Sequence, residues 1–118
     1  KWVEDVLVDV INMTKEKMEK YYDEHVTDTM CRNELYKKYY MDTIIEDTSA
    51  VAGLELIRRI VGMANVKDIT TIADEAKRAR AEKICITAAI DFIKNRSDKK
   101  CGKCFLKTLK DAIAEVDA

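Results

Sequence analysis

Residues 47–66 read DTSAVAGLELIRRIVGMANV, and their apolar side chains recur at the spacing of an α-helix. Six of them fall at i, i+3, i+4, i+7, i+8 and i+11: Gly53, Leu56, Ile57, Ile60, Val61 and Ala64. We expect this stripe to face a core. Residues 47–49 can cap the start of the helix, and Gly62 and Asn65 signal its end.

Two adjacent arginines, Arg58 and Arg59, lie on the opposite side of this predicted helix. Neighbouring helical residues point about 100° apart, so the pair forms a broad cationic edge that could bind an anionic or polyhydroxyl ligand. Glu55 precedes them by three and four residues, the spacing of ion pairs on a solvated helix face. The pattern alone favours the ion-pair interpretation and leaves ligand binding open.

Amphipathic helices are also predicted on the N-terminal side of residue 47. A first helix begins at Trp2, keeps a three-four apolar spacing and closes near Tyr21 and Tyr22. A second runs from about Asn33 to Glu46. We expect its apolar and aromatic face to be core, and this face contains Leu35, Tyr36, Tyr39, Tyr40, Thr43 and Ile44.

Two further helices are predicted on the C-terminal side of residue 66. Thr71 and Asp74 resemble a capping box for a long helix that ends near Asn95. Ser97 and Asp98 can cap a last helix. Its apolar stripe should pack as a lid and consists of Phe105, Leu106, Leu109, Ala112, Ile113 and Val116. We expect a solvated face to carry the nearby lysines, which are Lys99, Lys100, Lys103, Lys107 and Lys110.

Composition bounds the fold class and the partners. The 118 residues make one domain, with no proline and three glycines, so the fold class is all-α with four to five helices and no sheet. The 21 basic and 22 acidic side chains are interleaved, which argues against a nucleic-acid or acidic-membrane partner. No apolar run approaches the roughly 20 residues of a membrane span. The composition leaves open whether the chain forms a homodimer.

The histidine and the cysteines give no metal site by pattern. His25 is the only histidine and lies in a polar connection without ligand partners at a suitable spacing. Cys101 and Cys104 form a CxxC pair at a helix start, which is a redox-like motif. The chain lacks the βαβ context of a thioredoxin-type site, and the other possible zinc ligands, Cys31 and Cys85, lie far away in sequence. We expect the cysteines to be reduced, as in a cytoplasmic protein. Cys85 should be a small buried hydrophobic residue.

Residues 39–72 carry a family resemblance. They read YYMDTIIEDTSAVAGLELIRRIVGMANVKDITTI and resemble the C-terminal part of the S-methyl-5-thioribose kinases, which are similar in fold to protein kinases and aminoglycoside phosphotransferases. The resemblance rests on Asp47, Thr48, Ala52, Gly53, Ile57, Arg58, Arg59, Ile60, Gly62, Ala64, Val66, Asp68 and Ile72, in that order. It continues more weakly from Arg78 to Arg96.

The resemblance implies that residues 1–118 are the helical C-terminal end of a kinase-like C-lobe and a fragment of a longer chain. The full-length enzyme would use ATP and Mg to phosphorylate the anomeric hydroxyl of 5-methylthioribose in methionine salvage. The resemblance implies a place for Arg58 and Arg59 in the sugar pocket. Such a kinase needs a glycine-rich loop, a strand lysine, a His-Gly-Asp loop and an acidic metal motif, and this sequence contains none of them.

We therefore expect the isolated chain to hold no catalytic residue, no cofactor-binding residue and no metal ligand. The alternative is a stand-alone helical interaction module whose arginines decorate a solvated face. The reading frame upstream of Lys1 distinguishes the two, because only the kinase requires a preceding His-Gly-Asp loop.

Overall fold

The all-α prediction is confirmed in the computed structural model, which describes residues 1–63 and 66–118. Its helices are α1 (Trp2–His25), α2 (Glu34–Val61), α3 (Lys67–Thr70), α4 (Glu75–Lys94) and α5 (Gly102–Asp117), with a 3-10 turn at Arg96–Asp98. No strand occurs within the described ranges. In the same ranges, no helix is long and apolar enough to cross a membrane.

Helix α2 corrects the sequence prediction, because the two helices expected on either side of residue 47 are one continuous helix. Residues 47–49 cap nothing, and they lie inside the helix. The Thr48 hydroxyl donates to the carbonyl of Ile44 at 2.8 Å, and the buried Ser49 hydroxyl donates to the carbonyl of Phe92 in α4 at 2.8 Å. Both hydroxyls donate to backbone carbonyls and therefore do not cap backbone N–H groups. The helix continues through residues 47–49.

The ends of α2 match the sequence signals better. Asn33 is the N-cap, and its side chain accepts hydrogen bonds from the backbone N–H groups of Leu35 and Tyr36. The helix ends at Val61, and the Gly62 N–H donates to the Arg58 carbonyl at 3.2 Å. Two of the residues used in the prediction, Ala64 and Asn65, lie outside the described residues.

The predicted stripe of α2 faces the core over most of its length. Gly53 is buried, and Leu56, Ile57 and Ile60 are half-buried, whereas Val61 is 70% exposed. A Cβ at Gly53 would lie 2.7 Å from the carbonyl oxygen of Ala89, so glycine permits α2 and α4 to approach closely. Packed beside this contact is the central cluster of Ile45, Ala88, Phe92, Phe105 and Ala112.

Helix α4 begins with the predicted N-cap but without the predicted capping box. The Asp74 side chain accepts from the Lys77 N–H at 3.1 Å. Thr71 instead donates to the carbonyl of Lys67 at 2.5 Å and so closes the short α3, an element that the apolar spacing did not predict. Asp74 alone therefore supplies the side-chain cap that the structure shows at this terminus.

Helix α5 begins later than predicted. Ser97 and Asp98 form the 3-10 turn, and the N-cap is Cys101. The stripe of α5 does pack inward, since Phe105 and Ala112 are buried and Leu109 is partly buried against the core. The predicted solvated lysine face is wrong for Lys99, which is only 7% exposed.

The end of the molecule opposite this core is an aromatic arm formed by the second half of α1 and the first half of α2. The Cα radius of gyration is 17.0 Å, above the roughly 13 Å of a compact domain of this length. Tyr36, Tyr39 and Tyr40 are 44%, 68% and 43% exposed, so the prediction of an aromatic core face is wrong. The buried residues of this stretch are Met41 and Ile45.

Candidate functional site

The two predicted site residues lie in the last turn of α2 and share one carboxylate. Arg58 binds Glu55 through two hydrogen bonds, from Nε to Oε1 at 3.0 Å and from Nη2 to Oε2 at 2.7 Å. The Nε of Arg59 lies 3.6 Å from Glu55 Oε2. The ion pairs expected from the spacing are therefore present, and the cluster keeps one positive charge in excess.

The electrostatics of this cluster favour its charged form. The hydrogen bond from Arg58 lowers the pKa of Glu55, and the same bond raises the pKa of Arg58. All three side chains remain about half exposed. The cluster is thus hydrated and accessible, and a ligand oxygen could replace the water around either guanidinium.

An apolar cleft of about 360 Å³ lies beside Arg59 and differentiates the two arginines. Its walls come from all four long helices and include Leu7 and Ile11 of α1, Leu56 of α2, Phe92 of α4, and Phe105 and Leu109 of α5. Thr48, Glu55 and Arg59 supply its polar groups. Arg58 is not among the lining residues.

Helix geometry explains why only one arginine lines this cleft. Thr48 and Glu55 precede Arg59 by eleven and four residues, which are intervals of three turns and one turn and place all three on one flank of α2. Arg58 lies about 100° away on the helix. Helix α2 approaches α4 closely at Gly53, and its Arg59 flank lines the cleft.

Asp47 does not join the arginine cluster. It is exposed in the middle of α2, where Arg96 Nη1 lies 3.9 Å from its carboxylate. Eleven residues separate it from Arg58, or about 16 Å along the helix axis. Its predicted structural role as an N-cap is wrong, and its location gives it no contact with the cleft beside Arg59.

The histidine and the cysteines lie apart from the cleft. His25 is the last residue of α1, and its ring stacks on Tyr21 with centroids 3.9 Å apart. Burial raises the pKa of the half-buried Cys85 thiol. Across residues 1–63 and 66–118, no three His, Cys, Asp or Glu side chains are grouped to hold a metal ion.

Sequence reasoning missed a partly buried polar network between α4 and α5. Asp91 Oδ2 accepts from Lys99 Nζ and from Thr108 Oγ1, both at 2.6 Å, and Oδ1 accepts from Asn95 Nδ2 at 2.6 Å. Burial alone would raise the pKa of Asp91, but these hydrogen bonds and the Lys99 charge lower it to about 2. The available signal was Asp91 itself, because Asp91 and Thr87 are the two polar residues in the apolar segment from Ile84 to Ile93.

Sequence reasoning also missed a groove of about 710 Å³ in the aromatic arm. It lies between α1 and α2, and its lining includes Met18, Tyr21, Tyr22, Tyr36, Tyr40 and Met41. The Tyr22 hydroxyl donates to the Cys31 carbonyl at 2.7 Å and ties the connection to α1. The abundance of tyrosine on this helix face was the signal, because a phenol ring keeps a polar edge in water.

Comparison with known proteins relates the chain to kinases. Methylthioribose kinase 1 of rice is 27% identical over 81% of this chain and 25% of its own length. The methylthioribose kinase of Bacillus pumilus is 29% identical over 76% of this chain and 23% of its own length. Methylthioribose kinase 2 of rice is 37% identical over 52% of this chain.

The resemblance identified in residues 39–72 is therefore confirmed: the chain is similar in sequence to methylthioribose kinases of plants and bacteria. The chain spans about a quarter or less of the length of these relatives. No family model matches it. No solved structure matches it either.

Proposed function

We propose that this chain is the C-terminal helical portion of an ATP-dependent 5-methylthioribose kinase and that it contributes Arg58 and Arg59 to the sugar pocket. The observation that supports the proposal best is the placement of Arg59 and Glu55 on the polar side of an apolar cleft. The relatives' names point to the same substrate. We expect the whole protein to act in the cytoplasm.

The chemistry of the cleft suits the two halves of this substrate. A methylthio group is apolar, so its transfer from water to the cleft wall at Leu56 and Phe105 would be favourable. The ribose hydroxyls need directional partners, which the guanidinium donors and the Glu55 carboxylate supply. As the phosphoryl group arrives, a nearby guanidinium would also offset the charge that develops in the transition state.

The rest of the catalytic machinery would come from the other part of such an enzyme. ATP and Mg²⁺ require a phosphate-binding loop and acidic metal ligands, which the motifs of residues 1–118 do not provide. In this division of labour, the present chain orients the sugar, and the nucleotide-binding part supplies the phosphoryl group. Positioning of this kind accounts for much of the rate enhancement in phosphoryl transfer.

Lysine substitution in the full-length enzyme tests the arginine roles. Arg59→Lys or Arg58→Lys should lower kcat/KM for the sugar by at least about tenfold, or roughly 1.4 kcal/mol, because an ammonium group lacks the planar fork of donors. KM for ATP should change little. Arg59→Lys is the sharper test, since Arg59 lines the cleft.

Thermal stability provides the control, and Glu55→Gln is a third test of the pocket, because Glu55 also lines the cleft. The ion pairs of Glu55 are about half exposed, so each of the three substitutions should change thermal stability little. Normal sugar kinetics in both lysine variants would remove the arginines from the pocket. A parallel loss of stability and activity would instead assign them a structural role.

The alternative function, a stand-alone helical interaction module, has one observation in its favour. Arg58 already donates two hydrogen bonds to a solvated carboxylate, as in an ordinary surface ion pair. The upstream reading frame separates the two functions. A His-Gly-Asp loop followed some twenty residues later by an Asp-x-Glu motif supports the kinase, and a nearby start codon supports the module.

A further inference from the structure

The thiols of Cys101 and Cys104 lie together at the start of α5. Cys101 is the N-cap in an extended conformation, and Cys104 lies in the first turn. Their sulfur atoms are 3.2 Å apart and are not joined in a disulfide. Both side chains are half-buried, so a small reagent can reach them while the fold keeps them side by side.

The surroundings of the pair favour the thiolate. Burial would raise the pKa of Cys104, but hydrogen bonds from the Cys101 thiol and from the backbone at Lys100 and Cys101, together with the Lys99 charge, lower it. The thiolate is the form that attacks disulfides, so Cys104 is suited to start an exchange reaction. Cys85 differs, because burial raises the pKa of its thiol.

The segment between the two cysteines is clamped against α1. The Gly102 N–H donates to Asn12 Oδ1 at 2.9 Å. A Cβ at Gly102 would overlap the backbone of Val8, so this position requires glycine. The clamp holds the helix start in one conformation and keeps the second thiol in reach of any adduct on the first.

We propose that Cys101 and Cys104 form a redox-active dithiol that small-molecule disulfides, such as oxidised glutathione, convert to an intramolecular disulfide. The Cys104 thiolate attacks one sulfur of the reagent, forming a mixed disulfide and expelling one glutathione thiolate. The Cys101 thiol loses its proton and attacks Cys104 Sγ, which expels the second glutathione thiolate. Two protein thiols are oxidised, one glutathione disulfide is reduced, and the two protons end on the two glutathiones.

This site is independent of the proposed sugar pocket, since neither cysteine lines the cleft beside Arg59. Its test therefore needs no kinase assay. The 118-residue chain is incubated in buffers of fixed reduced-to-oxidised glutathione ratio, quenched in acid at successive times up to equilibrium, alkylated and analysed by mass spectrometry of the intact protein and its peptides.

We expect the wild-type chain to lose two alkylatable thiols without retaining glutathione, and the peptides to show a Cys101–Cys104 disulfide. In Cys101→Ser, glutathione should remain attached at Cys104, because the resolving thiol is gone. Reaction of the pair should be at least about tenfold faster than glutathionylation of Cys85. The double variant Cys31→Ser, Cys85→Ser is the matched control and should form the disulfide as the wild type does.

Three outcomes would overturn the proposal. They are four alkylatable thiols in the oxidising buffer, stable glutathione adducts on both members of the wild-type pair, and a disulfide that involves Cys31 or Cys85. Far-ultraviolet circular dichroism of each variant establishes that it is helical before its thiols are compared. If Cys101→Ser fails this check, the wild-type peptides decide the question, because they either contain the Cys101–Cys104 disulfide after oxidation or overturn the proposal by lacking it.

Discussion

Substitution of Asp91 by Asn should lower the stability of the chain by about 1 to 2 kcal/mol at neutral pH. Asn has nearly the same shape as Asp, so packing between α4 and α5 changes little. The change removes the negative charge that accepts hydrogen bonds from Lys99, Thr108 and Asn95. Lys99, which is 7% exposed, is then left buried without its counter-charge.

The magnitude follows from the pKa of Asp91. A pKa lowered from its ordinary 3.8 to about 2 corresponds to at most about 2.4 kcal/mol. The Asp91 side chain is 35% exposed, and solvent screening reduces this value to about 1 to 2 kcal/mol.

The same network gives the sign of the pH dependence. Because the folded pKa is the lower one, the stabilisation is complete above the unfolded pKa and is lost as the pH falls towards about 2.

Urea denaturation measures the stability loss of Asp91→Asn and its pH dependence. It is carried out from pH 7 down to the lowest pH at which the chain stays folded. The difference between wild type and Asp91→Asn should be constant above about pH 5 and should shrink below it. Asp111→Asn is the matched control, since its pair with Lys107 is exposed and should contribute little to stability. A loss at Asp91 no larger than at Asp111, or a difference that does not change at low pH, would refute the reasoning.

The close contact of α2 with α4 and the absence of nucleotide motifs lead to two more predictions. Gly53→Ala should destabilise the chain by about 1 kcal/mol in urea, because the added Cβ would meet the Ala89 carbonyl oxygen at 2.7 Å, although alanine itself favours a helix. Ala79→Gly, at an exposed site of α4, is the control that measures the difference in helix propensity between alanine and glycine alone. If Gly53→Ala were more stable than the wild type, the packing argument would be contradicted. Titration calorimetry should detect negligible binding of Mg-ATP to the 118-residue chain, and micromolar affinity would reveal a nucleotide site in it.

The predictions that the structure confirmed rest on long apolar periodicity. Helices α1 and α4 were predicted to within a few residues because five or more turns of regular spacing leave few alternatives. Predictions of helix starts were less accurate. Asp47, Ser97 and Asp98 have the side chains of capping residues, but a cap forms only where the fold leaves backbone N–H groups without partners.

Burial of polar and aromatic residues also depended on long-range contacts. The three exposed tyrosines of α2 have the spacing of a core face, but the buried residues of this helix begin only at Met41. Lys99 has the spacing of a solvated lysine, but Asp91, eight residues earlier, draws its ammonium group into the interface with α5.

The amino-acid sequence by itself determined the all-α class, the helical setting of Arg58 and Arg59 and their ion pairs with Glu55, because these depend on spacings of three and four residues within one helix. Tertiary structure alone decided which arginine lines the cleft. That choice depends on how α2 packs against its neighbours, including α4, which it approaches closely at Gly53. It also decided that Gly102, between Cys101 and Cys104, is clamped against α1, since Asn12 and Val8 lie some ninety residues away in sequence.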